Sequence, residues 1–110
     1  MPSPQPAKIL RIHISESDRY QSQPLFEAMV AKCRELRIAG ATVFQAFEGF
    51  GESAELHRSH LMRDDRPIVI VIVDTAENIQ RLIPAMEEMM HTGLLAISDV
   101  ETLPVKASSD

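Results

Sequence analysis

The amino-acid sequence predicts an α+β domain in the order β-α-β-β-α-β, with an antiparallel sheet and two helices on one of its faces. Three observations carry that expectation. Residues 68–73 read Ile-Val-Ile-Val-Ile-Val, and an unbroken β-branched run of this length suits a central strand, expected here to be buried on both faces. Apolar residues recur at helical spacing in two segments, from Leu25 to Leu36 and from Ile79 to Met90. Residues 9–14 alternate instead, setting Ile12 and Ile14 against Arg11 and His13, the period of a strand.

The elements follow in order. Residues 1–7 contain Pro2, Pro4 and Pro6 and are expected to form an extended, mobile tail, so that the domain spans 8–105 and residues 106–110 form a second tail. The first strand starts at Lys8 and ends at the polar segment Ser15-Glu16-Ser17-Asp18-Arg19. Pro24 then suits the first position of a helix, where its missing N–H costs nothing. Leu25, Phe26, Met29, Val30, Cys33 and Leu36 form the apolar stripe of that helix, and Gly40 marks its exit. Residues 41–48 read as the second strand and run into Gly49-Phe50-Gly51. The polar stretch from Gly51 to Arg66 is longer than a hairpin needs, and connections of that length in a small domain usually carry function. After the 68–73 strand, Thr75 is the expected N-cap of the second helix, with Glu77 in its first turn. Ile79, Leu82, Ile83, Met86, Met89 and Met90 mark the buried side, and Pro84 is expected to kink the helix near Gln80–Pro84. Gly93 closes it, and a last strand lies within Leu94 to Val105, with Ser98-Asp99 bending it.

Composition excludes several functions. With 110 residues, 45% hydrophobic and 25% charged, the chain has one ordinary core. Eleven basic against sixteen acidic residues leave a net charge of −5, with the basic ones scattered, which argues against nucleic acid and anionic membranes. No apolar run approaches the roughly 18 residues that span a bilayer, so no membrane insertion is expected. The N-terminus has no secretory pattern, and the expected location is the cytoplasm. Cys33 is the sole cysteine; it cannot form an intrachain disulfide and is expected to be a buried hydrophobe.

The predicted order is the split-βαβ, or ferredoxin-like, arrangement. Two helices cover one sheet face only, yet Phe44 and alternate members of 68–73 place apolar side chains on the other. A second copy of the chain is the expected cover.

The segments Glu16-Ser17-Asp18-Arg19-Tyr20, Pro24-Leu25-Phe26-Glu27-Ala28, Ile38-Ala39-Gly40-Ala41-Thr42-Val43 and Glu48-Gly49-Phe50-Gly51 occur in that order, followed by His57 and the strand that ends at Asp74. Over residues 8–103 this series resembles the domain-of-unknown-function family numbered 190, which is similar to the PII signalling proteins. The resemblance implies a PII-like homotrimer that binds a small effector, such as ATP, ADP or cyclic AMP, in clefts between subunits. It further implies ligand-binding positions at Gly49, Phe50 and Gly51 and at His91, Thr92 and Gly93. Residues 50–64, with Glu52, Glu55, His57, Arg58 and Arg63, would form the loop that engages a partner, a membrane transporter or channel or an enzyme. Glycines suit such sites because they allow close backbone approach and display of N–H groups.

The residues also admit other chemistry. His57 and His60 could pair on a metal with Glu52 or Glu55, as in a metal-responsive trimer of the CutA kind, but Arg58 between them favours a solvated or hydrogen-bonding role. Glu16 and Asp18 could divide acid and base work, but Asp18 and Ser17 are turn formers and Arg19 stands beside them, so structure is the preferred role. No nucleophile triad, phosphate loop or dinucleotide motif is present, and the expected function is the non-enzymatic regulation that the family resemblance implies.

Overall fold

The computed structural model describes residues 3–47 and 65–105. Four strands, β1 (Gln5–Ser15), β4 (Thr42–Gln45), β5 (Pro67–Asp74) and β6 (Leu94–Thr102), form one sheet in the order β4-β5-β1-β6, antiparallel throughout. Helices α1 (Leu25–Glu35) and α2 (Ala76–Met89) connect them. A two-residue hairpin, β2 (Arg19–Tyr20) with β3 (Gln23–Pro24), precedes α1. This is the expected ferredoxin-like arrangement.

The register sorts the side chains. Leu10, Ile12 and Ile14 pair with Ile72, Ile70 and Ile68, and all six are buried against both helices. Leu25, Ala28, Met29 and Cys33 of α1 and Ile79, Leu82, Met86 and Met89 of α2 complete the core. Fully buried side chains of this size contribute about 1.5–3 kcal/mol each relative to exposure.

The 68–73 strand departs from expectation. Only its isoleucines are buried; Val69 and Val71 are half-buried and Val73 is 38% exposed. Both helices pack on the isoleucine side, so among the described residues no element covers the valine side of the same strand.

Boundaries also differ. β1 begins at Gln5 rather than Lys8, and Gln5, Pro6 and Ala7 pair with Thr102, Glu101 and Val100. Along those three residues β1 has a neighbour on one side only, where a strand accepts proline. β6 runs through Ser98 and Asp99 with its pairing unbroken. Pro24 is the N-cap of α1 rather than its first residue, and the Leu25 N–H donates to the Asp18 carbonyl at 2.8 Å.

The exit of α1 falls at Arg37, not Gly40. Arg37 takes φ +61°, its N–H donates to Arg34 O, and the Ile38 N–H donates to Cys33 O at 2.9 Å. That pair of bonds is a Schellman cap, and the buried Ile38 supplies the apolar contact that usually accompanies it. At the start of α2, Thr75 Oγ1 accepts from the Asn78 N–H at 3.1 Å, as expected of the N-cap. The helix runs from Ala76 to Met89 through Pro84, whose exposed position lets water satisfy the freed carbonyl.

Candidate functional site

β6 starts, β4 ends and β5 starts at one end of the sheet, because Leu94 pairs with His13, Gln45 with Ile68 and Pro67 with Ser15. The connection from α2 to β6 reaches this end. Gly93 has φ +130°, and a Cβ there would lie 2.6 Å from Met90 Cε and 2.7 Å from the His13 carbonyl oxygen. Only glycine lets the chain press against β1 at this point. Beside it lies an open cleft of about 460 Å³ lined by Glu87, Met90, His91, Thr92, Gly93, Leu94 and Leu95. His91, Thr92 and Gly93, the three positions implied by the family resemblance, therefore do line one cavity. Among the described residues its walls combine Met90, Leu94 and Leu95 with an imidazole, a hydroxyl and one carboxylate, and include no lysine or arginine.

The second cluster sits where the 46–66 connection leaves the sheet. Glu16 accepts from Gln45 Nε2 at 2.7 Å and from the Arg66 N–H at 3.4 Å, while its own N–H donates to Arg66 O at 2.8 Å. The Ser17 N–H donates to Asp65 Oδ1, the Ala46 N–H donates to Pro67 O, and the Arg66 guanidinium lies 5.4 Å from the Phe47 ring centroid. Glu16 is thus the tie between β1 and both ends of the connection. Asp18 closes a turn, its carboxylate accepting from the Ser15 N–H at 2.9 Å. Both carboxylates thus hold hydrogen bonds of the turn and of the connection.

The remaining positions, Gly49, Phe50, Gly51, Glu52, Glu55, His57, Arg58, His60 and Arg63, lie outside the described residues. Among the described residues no group of three or more His, Cys, Asp or Glu could hold a metal ion. Among them, too, no helix is long and apolar enough to cross a membrane.

Among the described residues, two groups depart from their ordinary values. Burial pushes the Cys33 thiol up to about 11, which leaves it protonated and unreactive at neutral pH. For Asp74, partial burial works against ionisation. Hydrogen bonds from the Ala39 N–H, Asn78 Nδ2 and the Thr75 N–H, with the nearby Arg81 charge, outweigh it and hold the carboxyl below its usual range. Asp74 thereby ties the end of α1 to the start of α2, aided by Arg81 donating to Leu36 O at 2.9 Å.

The lining positions Glu87, Met90, Leu94 and Leu95 were not singled out as a site in the sequence. Three of them read there as core or strand, and only the folded loop turns them toward a cavity.

Comparison with known proteins gives a consistent result. The model of the family DUF190, described as "Uncharacterized ACR", matches residues 7–102. A UPF0166 protein of Aquifex aeolicus is 33% identical over 98 residues, covering 87% of this chain and 92% of that protein. A UPF0166 protein of Methanocaldococcus jannaschii is 32% identical over 96 residues, covering 84% and 88%. Among solved structures, CPII from Thiomonas intermedia K12, a nitrogen regulatory PII-like protein bound to ADP, AMP and bicarbonate, superposes with a TM-score of 0.67. It is 16% identical, with 94% of this chain and 100% of that chain covered.

Proposed function

The chain belongs to the DUF190 family and has the PII-like ferredoxin-like fold, and from that premise we propose that it is a cytoplasmic, non-enzymatic regulator that binds an adenine nucleotide. The observation that carries this reading is the cleft at His91, Thr92 and Gly93, in a fold whose solved counterpart holds ADP and AMP. Met90, Leu94 and Leu95 offer apolar surface to a purine, while Thr92 and His91 offer hydrogen bonds to its edges or to ribose.

The open sheet face completes the reading. It carries Ile9, Val69, Val71, Val73, Phe44 and Leu94, with Phe44 54% and Leu94 60% exposed. Strand spacing and rise make the face roughly 27 Å by 19 Å, or on the order of 500 Å² before side-chain relief. That whole-face area, polar residues included, approaches the roughly 800 Å² each partner contributes to a stable interface. Copies of this chain, as a homotrimer, cover it in our reading, so that each cleft lies beside a neighbouring subunit. Residues 50–64 then engage a partner, a membrane transporter or channel or an enzyme, according to the bound effector.

Titration calorimetry of the purified chain with ATP, ADP, AMP and cyclic AMP tests the nucleotide assignment. Saturable binding of at least one, weakened by Thr92→Ala, is the expected result. No heat from any of the four overturns it.

A further inference from the structure

The open sheet face is not wholly apolar. On β1, the strand between β5 and β6, stand Arg11 and, two residues on at the end of the sheet where β6 starts, His13. His13 is exposed and lies between Val69 of β5 and Leu94 of β6, with Phe44 beyond Val69 in the same row. Arg11 lies between Val71 and Ala96, and its Nη1 reaches the Ser98 hydroxyl at 3.4 Å. Strand alternation puts no carboxylate on this face among the described residues: Asp74, Asp99 and Glu101 all fall on the helix side or its edge.

We propose that acid dissociates the assembly through His13. The inference rests on the reading that copies of this chain cover the open face. Covering it removes water from His13, and the groups that then surround the imidazole among the described residues of its own subunit are apolar residues of β4, β5 and β6 and the guanidinium of Arg11. An imidazolium is costly there on both counts, desolvation and like charge. The assembled chain therefore binds fewer protons at His13 than the free chain does. By linkage, protonation drives the equilibrium toward free subunits, so association is strongest at neutral and alkaline pH and is lost as pH falls through the imidazole range. The limiting slope is about tenfold in the dissociation constant per pH unit for each excluded proton. Among the described residues, His91 and Glu87 are further titratable groups at this end; they line the cleft beside Gly93, where the loop presses against the His13 carbonyl, and both lie outside the face.

Sedimentation equilibrium of the full chain at pH 7.5 and 5.5 and constant ionic strength, with circular dichroism to confirm that the fold persists, decides the matter. The expected result is a dissociation constant at least about tenfold larger at pH 5.5, a slope abolished by His13→Gln and retained by His91→Gln. An assembly equally tight at both pH values, or a His13→Gln variant with the wild-type slope, overturns the proposal while leaving the oligomer intact. A monomer at both pH values overturns the oligomer reading and this inference together.

Discussion

The two faces of one sheet are made of the same kind of residue and have different fates. On the helix side, Leu10, Ile12, Ile70 and Ile72 are 0% exposed; on the other, Phe44, Val73 and Leu94 are 38–60% exposed. Strand β5 contributes to both, its isoleucines to the first and its valines to the second. Hydrophobicity alone thus does not say which face is the core. The helices decide it, because both crossovers return on one side. What the described residues leave uncovered is a surface of core-like composition with Arg11 and His13 along β1, and that combination is better suited to an interface than to solvent.

Three substitutions separate the faces, from the largest expected effect to the smallest. Ile70→Ala on the covered face should cost about 3 kcal/mol through lost burial and a cavity that the packed helices cannot fill. Chemical denaturation should show this loss at all protein concentrations, and a loss below about 1 kcal/mol would mean that the core is less tightly packed than described. Asp74→Ala, at the rim of that face, should cost about 1 kcal/mol at pH 7 by removing the tie between α1 and α2. Because the folded-state value of Asp74 is depressed, this contribution is fully present above its unfolded value and fades as pH falls through the folded one. Denaturation curves of the two proteins should therefore converge in acid. Phe44→Ser, on the open face, should change subunit stability by less than about 0.5 kcal/mol yet weaken association on the order of tenfold. A large loss of subunit stability with association unchanged would show that Phe44 packs within its own chain.

Much of the fold was legible because local and tertiary signals agree. The alternation of residues 9–14, the β-branched run and the two apolar stripes each match the period of the element they form, and Thr75 caps α2 as its residue type suggests. Expectation failed where a neighbour outweighed local preference. Gln5, Pro6 and Ala7 join β1 because β6 is long enough to pair with them, despite the three prolines among residues 1–7. Arg37 takes the left-handed position at the end of α1 because Ile38 is buried there, which leaves Gly40 no terminating role. Of the site, His91, Thr92 and Gly93 came from family resemblance, and glycine at 93 has a physical reason in its contact with β1. Glu87, Leu94 and Leu95 carried no local signal, since lining a cavity is a property of how a loop sits on a sheet.

The sequence by itself determined the elements, their order and the surplus of apolar strand surface, because each is written in residue periodicity and β-branching. Only the tertiary structure decided that the isoleucine side of β5 is the core and the valine side is not, since both strand faces are chemically alike until two helices land on one of them. It alone also gathered the end of α2, Gly93 and the start of β6 into a cleft, through a backbone approach to His13 that side-chain pattern does not encode.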